Sequence, residues 1–170
     1  MNHLISTRLQ RAAASTRRTL AGPIEVEPQA ERVLSSLQKV YSQKMISVDV
    51  NIDPDLKFYG EKRDLLEFMG NLFDNAFKYG EKTVRVSSGV LGAETTRPGL
   101  WMTVEDDGPG IDPARWAQLL ERGTRGDERV EGHGLGLAIV LELVSAYGGE
   151  ISISKSELGG ACLKVELLPS

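Results

Sequence analysis

Asn71 and Asn75, one helical turn apart in the run NLFDNAFKY, are the residues of this 170-residue sequence that most need a reason. Asparagine is a poor helix-interior residue, because its amide competes with the backbone for hydrogen bonds. Its amide oxygen, however, suits a hard cation such as Mg²⁺, and a nearby lysine, here Lys78, suits phosphate. On a helical wheel with Glu67 at zero and ~100° per residue, Asn71, Asn75 and Lys78 fall at ~40°, ~80° and ~20°. They form one narrow polar stripe. The opposite arc holds Leu65, Phe68, Met69, Leu72, Phe73, Ala76 and Phe77, an apolar side suited to packing on a sheet. The stripe is either a solvated face or half of a magnesium–nucleotide site. Solvation accounts for Glu67 and Lys78 but leaves the asparagines unexplained, since Glu, Lys or Gln would serve a wet helix better.

Two glycine-rich segments offer the other half. EDDGPGI, 105–111, follows a strand-forming run directly. Its Gly108 and Gly110 allow a sharp turn or the close approach of a flat ligand. Asp106, at the strand end, can accept a hydrogen bond from an exocyclic amine such as adenine's. DGPG is also ordinary turn chemistry, and alone the segment says no more than that. GHGLGLA, 132–138, opens a helix after a polar loop, where backbone N–H groups can hold phosphate. Its glycines could equally serve only a close turn. It is not a dinucleotide fingerprint, because no strand precedes it and Leu137 stands where the third glycine belongs. The G-x-x-x-x-G-K-S/T phosphate loop does not occur.

The elements that must position these pieces read as mixed α/β. The periodicity predicts helices over 29–44, 62–79, 113–121 and 135–149. Strands are expected near 24–27, over 45–52, briefly at 56–59, then at 83–88 and 99–107. Two more, 150–156 and 161–168, form a hairpin around ELGG. Segment 122–134 is a polar, glycine-rich loop. Residues 1–20 are basic and alanine-rich, without Asp or Glu, and carry Leu4, Ile5, Leu9, Ala12 and Ala13 at roughly helical spacing. They are either an appended helix whose stripe needs a partner or a frayed tail, which divides the chain into 1–20 and a globular 21–170.

Composition excludes several classes. Hydrophobic content of 41% and charged content of 26% are ordinary for a globular protein. A net charge of −4 argues against a broad nucleic-acid surface. With one cysteine, Cys162, and two distant histidines, neither an internal disulfide nor a structural zinc site is expected. No apolar stretch approaches membrane-spanning length, and the first residues lack the apolar core of a signal peptide.

Taken in order, the asparagine helix, DDGPG after a strand and GHGLGLA before a helix resemble the catalytic and ATP-binding domain of sensor histidine kinases. That domain has the Bergerat-type fold shared with gyrase, Hsp90 and MutL ATPases. NLFDNAFKY looks like the N box, and DDGPG and GHGLGLA like the two glycine boxes, over about 24–168. VEDDGPGI, RGTRGDE and LGGACLKVEL are similar to PhoQ-type kinases in particular. The resemblance implies a two-layer α/β sandwich, a mixed sheet with helices on one face, and an ATP lid between the glycine boxes. It implies that Asn71 and Asn75 hold Mg²⁺ and phosphate oxygens while Lys78 and Tyr79 reach the nucleotide. Asp106 would read the adenine amine, with Gly108, Gly110 and Ile111 beside the base. The lid would run from about Glu121 to Gly134, with Arg125 as a phosphate contact. Gly132, Gly134 and Gly136 would form its hinge and, with Leu135 and Leu137, line the phosphates.

Two positions depart from the pattern or sharpen it. PhoQ-like kinases carry glutamine near the metal where this chain has His133. That imidazole either joins Asn71 and Asn75 at the metal or phosphate or faces solvent. Gyrase- and Hsp90-like ATPases place a glutamate, the general base for water, four residues before the metal asparagine. Here that position is Asn71, which cannot take the proton. Glu67 lies a further turn back. The expected reaction is therefore transfer of the ATP γ-phosphoryl group to a histidine on a separate dimerisation domain, not hydrolysis. His3 has no acidic residue after it and is a poor acceptor, so no catalytic residue is assigned within this chain. Residues 1–20 would then be the remnant of that domain's second helix. The resemblance further implies a full-length homodimer, a response regulator met through the dimerisation domain, and a cytoplasmic position in a bacterial inner-membrane protein. Two rivals stand beside it. A hydrolytic relative would show steady ATPase activity dependent on Glu67. A nucleotide-independent interaction module of the same fold would bind no adenine nucleotide.

Overall fold

The computed structural model describes residues 22–124 and 134–169. In chain order its elements are β1 (Pro23–Glu25), α1 (Val26–Val40), β2 (Ser47–Ile52), β3 (Lys57–Tyr59), α2 (Lys62–Tyr79), β4 (Thr83–Leu91), β5 (Gly99–Asp106), α3 (Pro113–Thr124), α4 (Gly134–Ala146), β6 (Glu150–Lys155) and β7 (Ala161–Leu167). Five strands make one sheet in the order β2-β4-β5-β7-β6. β2 runs parallel to β4, and the other neighbours are antiparallel. β1 and β3 pair separately, antiparallel.

Alternation along the strands fixes one buried face. Val84 and Val86 of β4, Leu100, Met102 and Val104 of β5, and Leu163, Val165 and Leu167 of β7 all point into the core. Register keeps them together: Val86 faces Val104, which faces Leu163. A slip of one residue would turn this whole set outward. The other face carries Asp49, Arg85 and Glu105, where Arg85 Nε lies 3.2 Å from Asp49 Oδ2.

The helices cover the apolar face, with α2 at the centre. Its predicted apolar arc, Leu65, Phe68, Met69, Leu72, Phe73, Ala76 and Phe77, is at most 3% exposed throughout. Each large side chain among them contributes about 1.5–3 kcal/mol by leaving water. Val140, Val144 and Tyr147 complete the core from α4 and the turn after it. The mixed sheet with helices on one face is thus the α/β sandwich expected from the sequence.

Boundaries differ in instructive places. α1 starts at Val26 and not Gln29, because Pro28 sits in the first turn, where a missing N–H loses no bond. It ends at Val40, followed by a single 3₁₀ turn, Ser42–Lys44. Met45 then takes a left-handed conformation at φ 53°. α3 extends to Thr124, three residues beyond its predicted end, and takes in the first part of the expected lid. Residues 1–20 and the rest of that lid, 125–133, lie outside the described residues.

Candidate functional site

Asp106 ends β5 on its buried face and is only 4% exposed. An ionised carboxylate so placed needs donors. Its Oδ1 accepts the Gly108 N–H at 2.9 Å and the Ala161 N–H at 3.4 Å, so both amides fall on one carboxylate oxygen. Burial pushes its pKa above the ordinary 3.8, against the pull of those two amides. Its backbone oxygen accepts the Gly160 N–H at 3.1 Å. The fit around it is backbone against backbone. A Cβ on Gly160 would fall 2.2 Å from Asp106 Oδ1, and one on Gly108 would fall 2.2 Å from the Tyr79 carbonyl oxygen. Glycine at 108 and 160 is therefore a steric requirement. Gly110, at φ 77°, needs glycine for its backbone conformation.

The polar stripe of α2 faces the start of α4. Asn71 Nδ2 donates to the Glu67 carbonyl at 2.7 Å, which leaves Oδ1 directed off the helix. That oxygen would stand 3.1 Å from a Cβ on Gly136, so the asparagine stripe meets the first turn of α4 closely enough that a side chain there would press on the amide. The opening N–H groups of any helix have no partner within it. Here they lie beside an amide oxygen that can share a cation with a phosphate. Asn75, one turn on, is half-buried on the same stripe. Lys78 is exposed, with Nζ 5.6 Å from the centroid of the Tyr79 ring.

The structure thus brings Asn71 together with Gly136, and Tyr79 together with Gly108 and Asp106. Ile111 packs against the core at the end of the same turn. Leu137 is 8% exposed within the core, so backbone is what it can offer a ligand. Gly134 begins α4, with Leu135 next to it. Arg125, Gly132 and His133 lie outside the described residues. The donor set on α2 is two neutral amide oxygens, and no cluster of three His, Cys, Asp or Glu able to hold a metal occurs among the described residues. Such a set fits Mg²⁺ that arrives with phosphate oxygens and water already in its shell, and does not fit a resident metal.

Three supporting residues carry no signal strong enough to be singled out in the sequence. The Asp107 carboxylate accepts the Glu81 N–H at 2.8 Å and the Lys82 N–H at 3.0 Å, fixing the turn after α2. Burial would raise its pKa, but the amides of Lys82, Glu81 and Thr83 outweigh that and hold it below the ordinary 3.8. Lys44 Nζ donates to three carbonyls at the end of α2. Tyr41 donates its hydroxyl to Asp74 Oδ1 at 2.8 Å, and burial followed by that bond raises its pKa to about 12. Only the second acid of DDGPG hints at such a role, and its neighbours do not say which backbone it binds.

Residues 60–170 match the family model described as histidine kinase-, DNA gyrase B-, and HSP90-like ATPase. The chain is 40% identical over 140 residues to the virulence sensor histidine kinase PhoQ of Salmonella typhimurium, covering 82% of this chain and 28% of that one. It is 36% identical over 165 residues to the two-component sensor PhoQ of Pseudomonas aeruginosa, covering 97% and 36%. The chain spans little more than a third, at most, of these curated relatives. Among solved structures it is similar to a mycobacterial sensor histidine kinase, MprB, with a TM-score of 0.69, 24% identity, and 88% and 98% of the two chains covered.

Proposed function

Since the chain belongs to the histidine kinase-, DNA gyrase B-, and HSP90-like ATPase family, we propose that it is the catalytic, ATP-binding domain of a two-component sensor histidine kinase. It would donate the γ-phosphoryl group of ATP to a histidine on a separate dimerisation domain. Asn71 carries the reading. It meets the N-terminal turn of α4 through Gly136, as a phosphate site would require, and it is an amide where a hydrolytic relative would hold a water-activating carboxylate.

Asp106 Oδ2 would accept the exocyclic amine of adenine, with Gly108 and Gly110 giving the ring access. Lys78 would reach a phosphate, and Arg125 would add a second cation from the lid. The N–H groups at Gly132, Gly134 and Gly136 would cradle the phosphate chain. Mg²⁺ would be held by Asn71 and Asn75, with His133 a third candidate, and would neutralise charge on the phosphate oxygens. The protein's part in phosphoryl transfer is then positioning and charge neutralisation. The proposed whole protein is a homodimer whose kinase domains face the cytoplasm from a bacterial inner membrane. It would pass the phosphoryl group to a response regulator through the dimerisation domain, with residues 1–20 the tail of that domain's second helix.

The test is radiolabelled ATP with this chain alone, then with a separate chain carrying the dimerisation domain and its histidine. The chain alone binds ATP without labelling itself or releasing phosphate quickly. The added acceptor becomes labelled, though slowly, because a tether supplies an effective concentration in the ~mM range that separate chains lack. Acid-labile, base-stable label on His3 or His133, or fast phosphate release without acceptor, would overturn the reading.

A further inference from the structure

We propose that Lys44, outside every glycine-rich or asparagine-bearing segment of the sequence, is a positioning residue for the nucleotide site, an inference that rests on the proposed ATP-binding function. Its Nζ donates to the carbonyl oxygens of Phe77 at 2.9 Å, Lys78 at 2.7 Å and Gly80 at 3.0 Å. An ammonium has three protons, and all three are used. The last carbonyls of a helix have no partner within it, and a cation there also complements the helix dipole. At the helix end the Gly80 N–H donates to the Ala76 carbonyl at 2.7 Å, and Lys44 takes the carbonyls of Phe77 and Lys78 that follow.

The turn beyond the helix end makes this more than a cap. Residues 80–82 are held from both sides, a cation on the carbonyls and the Asp107 carboxylate on the amides of Glu81 and Lys82. Between the two clamps, the Tyr79 carbonyl abuts the backbone of Gly108, where a Cβ would come within 2.2 Å. Gly80 also abuts Asp106, since a Cβ on it would lie 3.5 Å from the Asp106 Cβ. No side chain cushions the contact between Tyr79 and Gly108. A shift of the helix end is therefore passed directly to Asp106 and Gly108, and it moves Lys78 and Tyr79 with it. Lys44 bonds backbone carbonyls here and acts through this backbone seam.

Lys44 is itself aimed. It closes the 3₁₀ turn after α1, and Met45 reverses the chain behind it in the left-handed region at φ 53°. Tyr41, at the head of that turn, bonds Asp74 on α2 at 2.8 Å, and its ring lies 5.8 Å from Lys44 Nζ. The turn thus grips α2 at two levels.

The experiment is calorimetric titration with a non-hydrolysable ATP analogue and Mg²⁺, on protein shown by circular dichroism to be folded. Lys44→Met, which keeps the stem and removes the charge, weakens binding about tenfold. Lys44→Gln folds with one or two of the donors kept and weakens it about threefold. Leu34→Ala, a core truncation in α1, lowers the melting temperature and leaves the affinity of the folded protein unchanged. Wild-type affinity in either folded Lys44 variant, or an equal loss in Leu34→Ala, would overturn the assignment. Wild-type protein that binds no adenine nucleotide would instead overturn the function it rests on.

Discussion

Asn71 Oδ1 lies 3.1 Å from the place where Gly136 would carry a Cβ, so the two helices that frame the candidate site touch through an amide and an absent side chain. That closeness separates stability from binding. Alanine is the better helix former by roughly 1 kcal/mol, so Gly136→Ala is expected to fold at least as well as the parent. The added methyl must push the Asn71 amide aside, and nucleotide affinity should fall. Thermal unfolding and analogue titration of the same variant check both halves. Unchanged affinity would remove Gly136 from the site.

Asn75 is half-buried on the polar stripe and clear of the apolar arc. Asn75→Ala should leave the unliganded melting temperature nearly unmoved and abolish the Mg²⁺-dependent gain from ATP. At ligand a hundredfold above its dissociation constant, the parent gains ~2.7 kcal/mol and the variant none. Equal thermal shifts in the two proteins would sink the assignment.

Asp106 and its substitution give a pH signature. Burial raises its pKa in the folded state above the ordinary 3.8, so its charge costs stability at neutral pH. That cost is relieved as pH falls through the raised value, and is gone below 3.8. Asp106→Asn keeps an oxygen for the amides of Gly108 and Ala161 but removes the charge. The variant is expected to be as stable as the parent, or slightly more so, at pH 7. It should also lose the preference for ATP over GTP, which presents a carbonyl in place of the amine. Competition titrations of the two nucleotides read this directly. Equal binding of both by the parent would remove Asp106 as the base reader.

Asp107 should behave oppositely. Its pKa is held below 3.8 in the folded state, so its contribution is present above that value and is lost as pH falls through the lower one. Asp107→Ala is expected to cost about 0.5–1 kcal/mol at pH 7, the net worth of such bonds where water can replace the carboxylate. The difference from the parent should shrink under acid conditions. Denaturant melts at pH 7 and near pH 3 test it, and a difference independent of pH would mean that the carboxylate charge is not what the turn uses.

The sequence by itself determined what depends on near neighbours. The stripe and arc of α2 come from a period of 3.6, and every predicted member of the arc is buried. The sheet strands come from alternation, and the turn at Gly108 and Gly110 comes from glycine beside Asp. Local pattern misplaces the start of α1, because Pro28 looks like a barrier although a first helical turn tolerates proline. Only the tertiary structure decided who supports whom. Lys44 meets carbonyls at and just past the end of α2, 33 to 36 residues away, and Ala161 meets Asp106 across 55. Gly160 is required because the end of β5 runs against the β6–β7 turn, a contact no local pattern encodes. Lysine on a short turn and glycine in a hairpin have many uses, and their sequence neighbours do not distinguish among them. Packing of the helices on the sheet chose one use for each, by bringing unpaired backbone groups within reach of the donors and leaving no volume for a side chain between them.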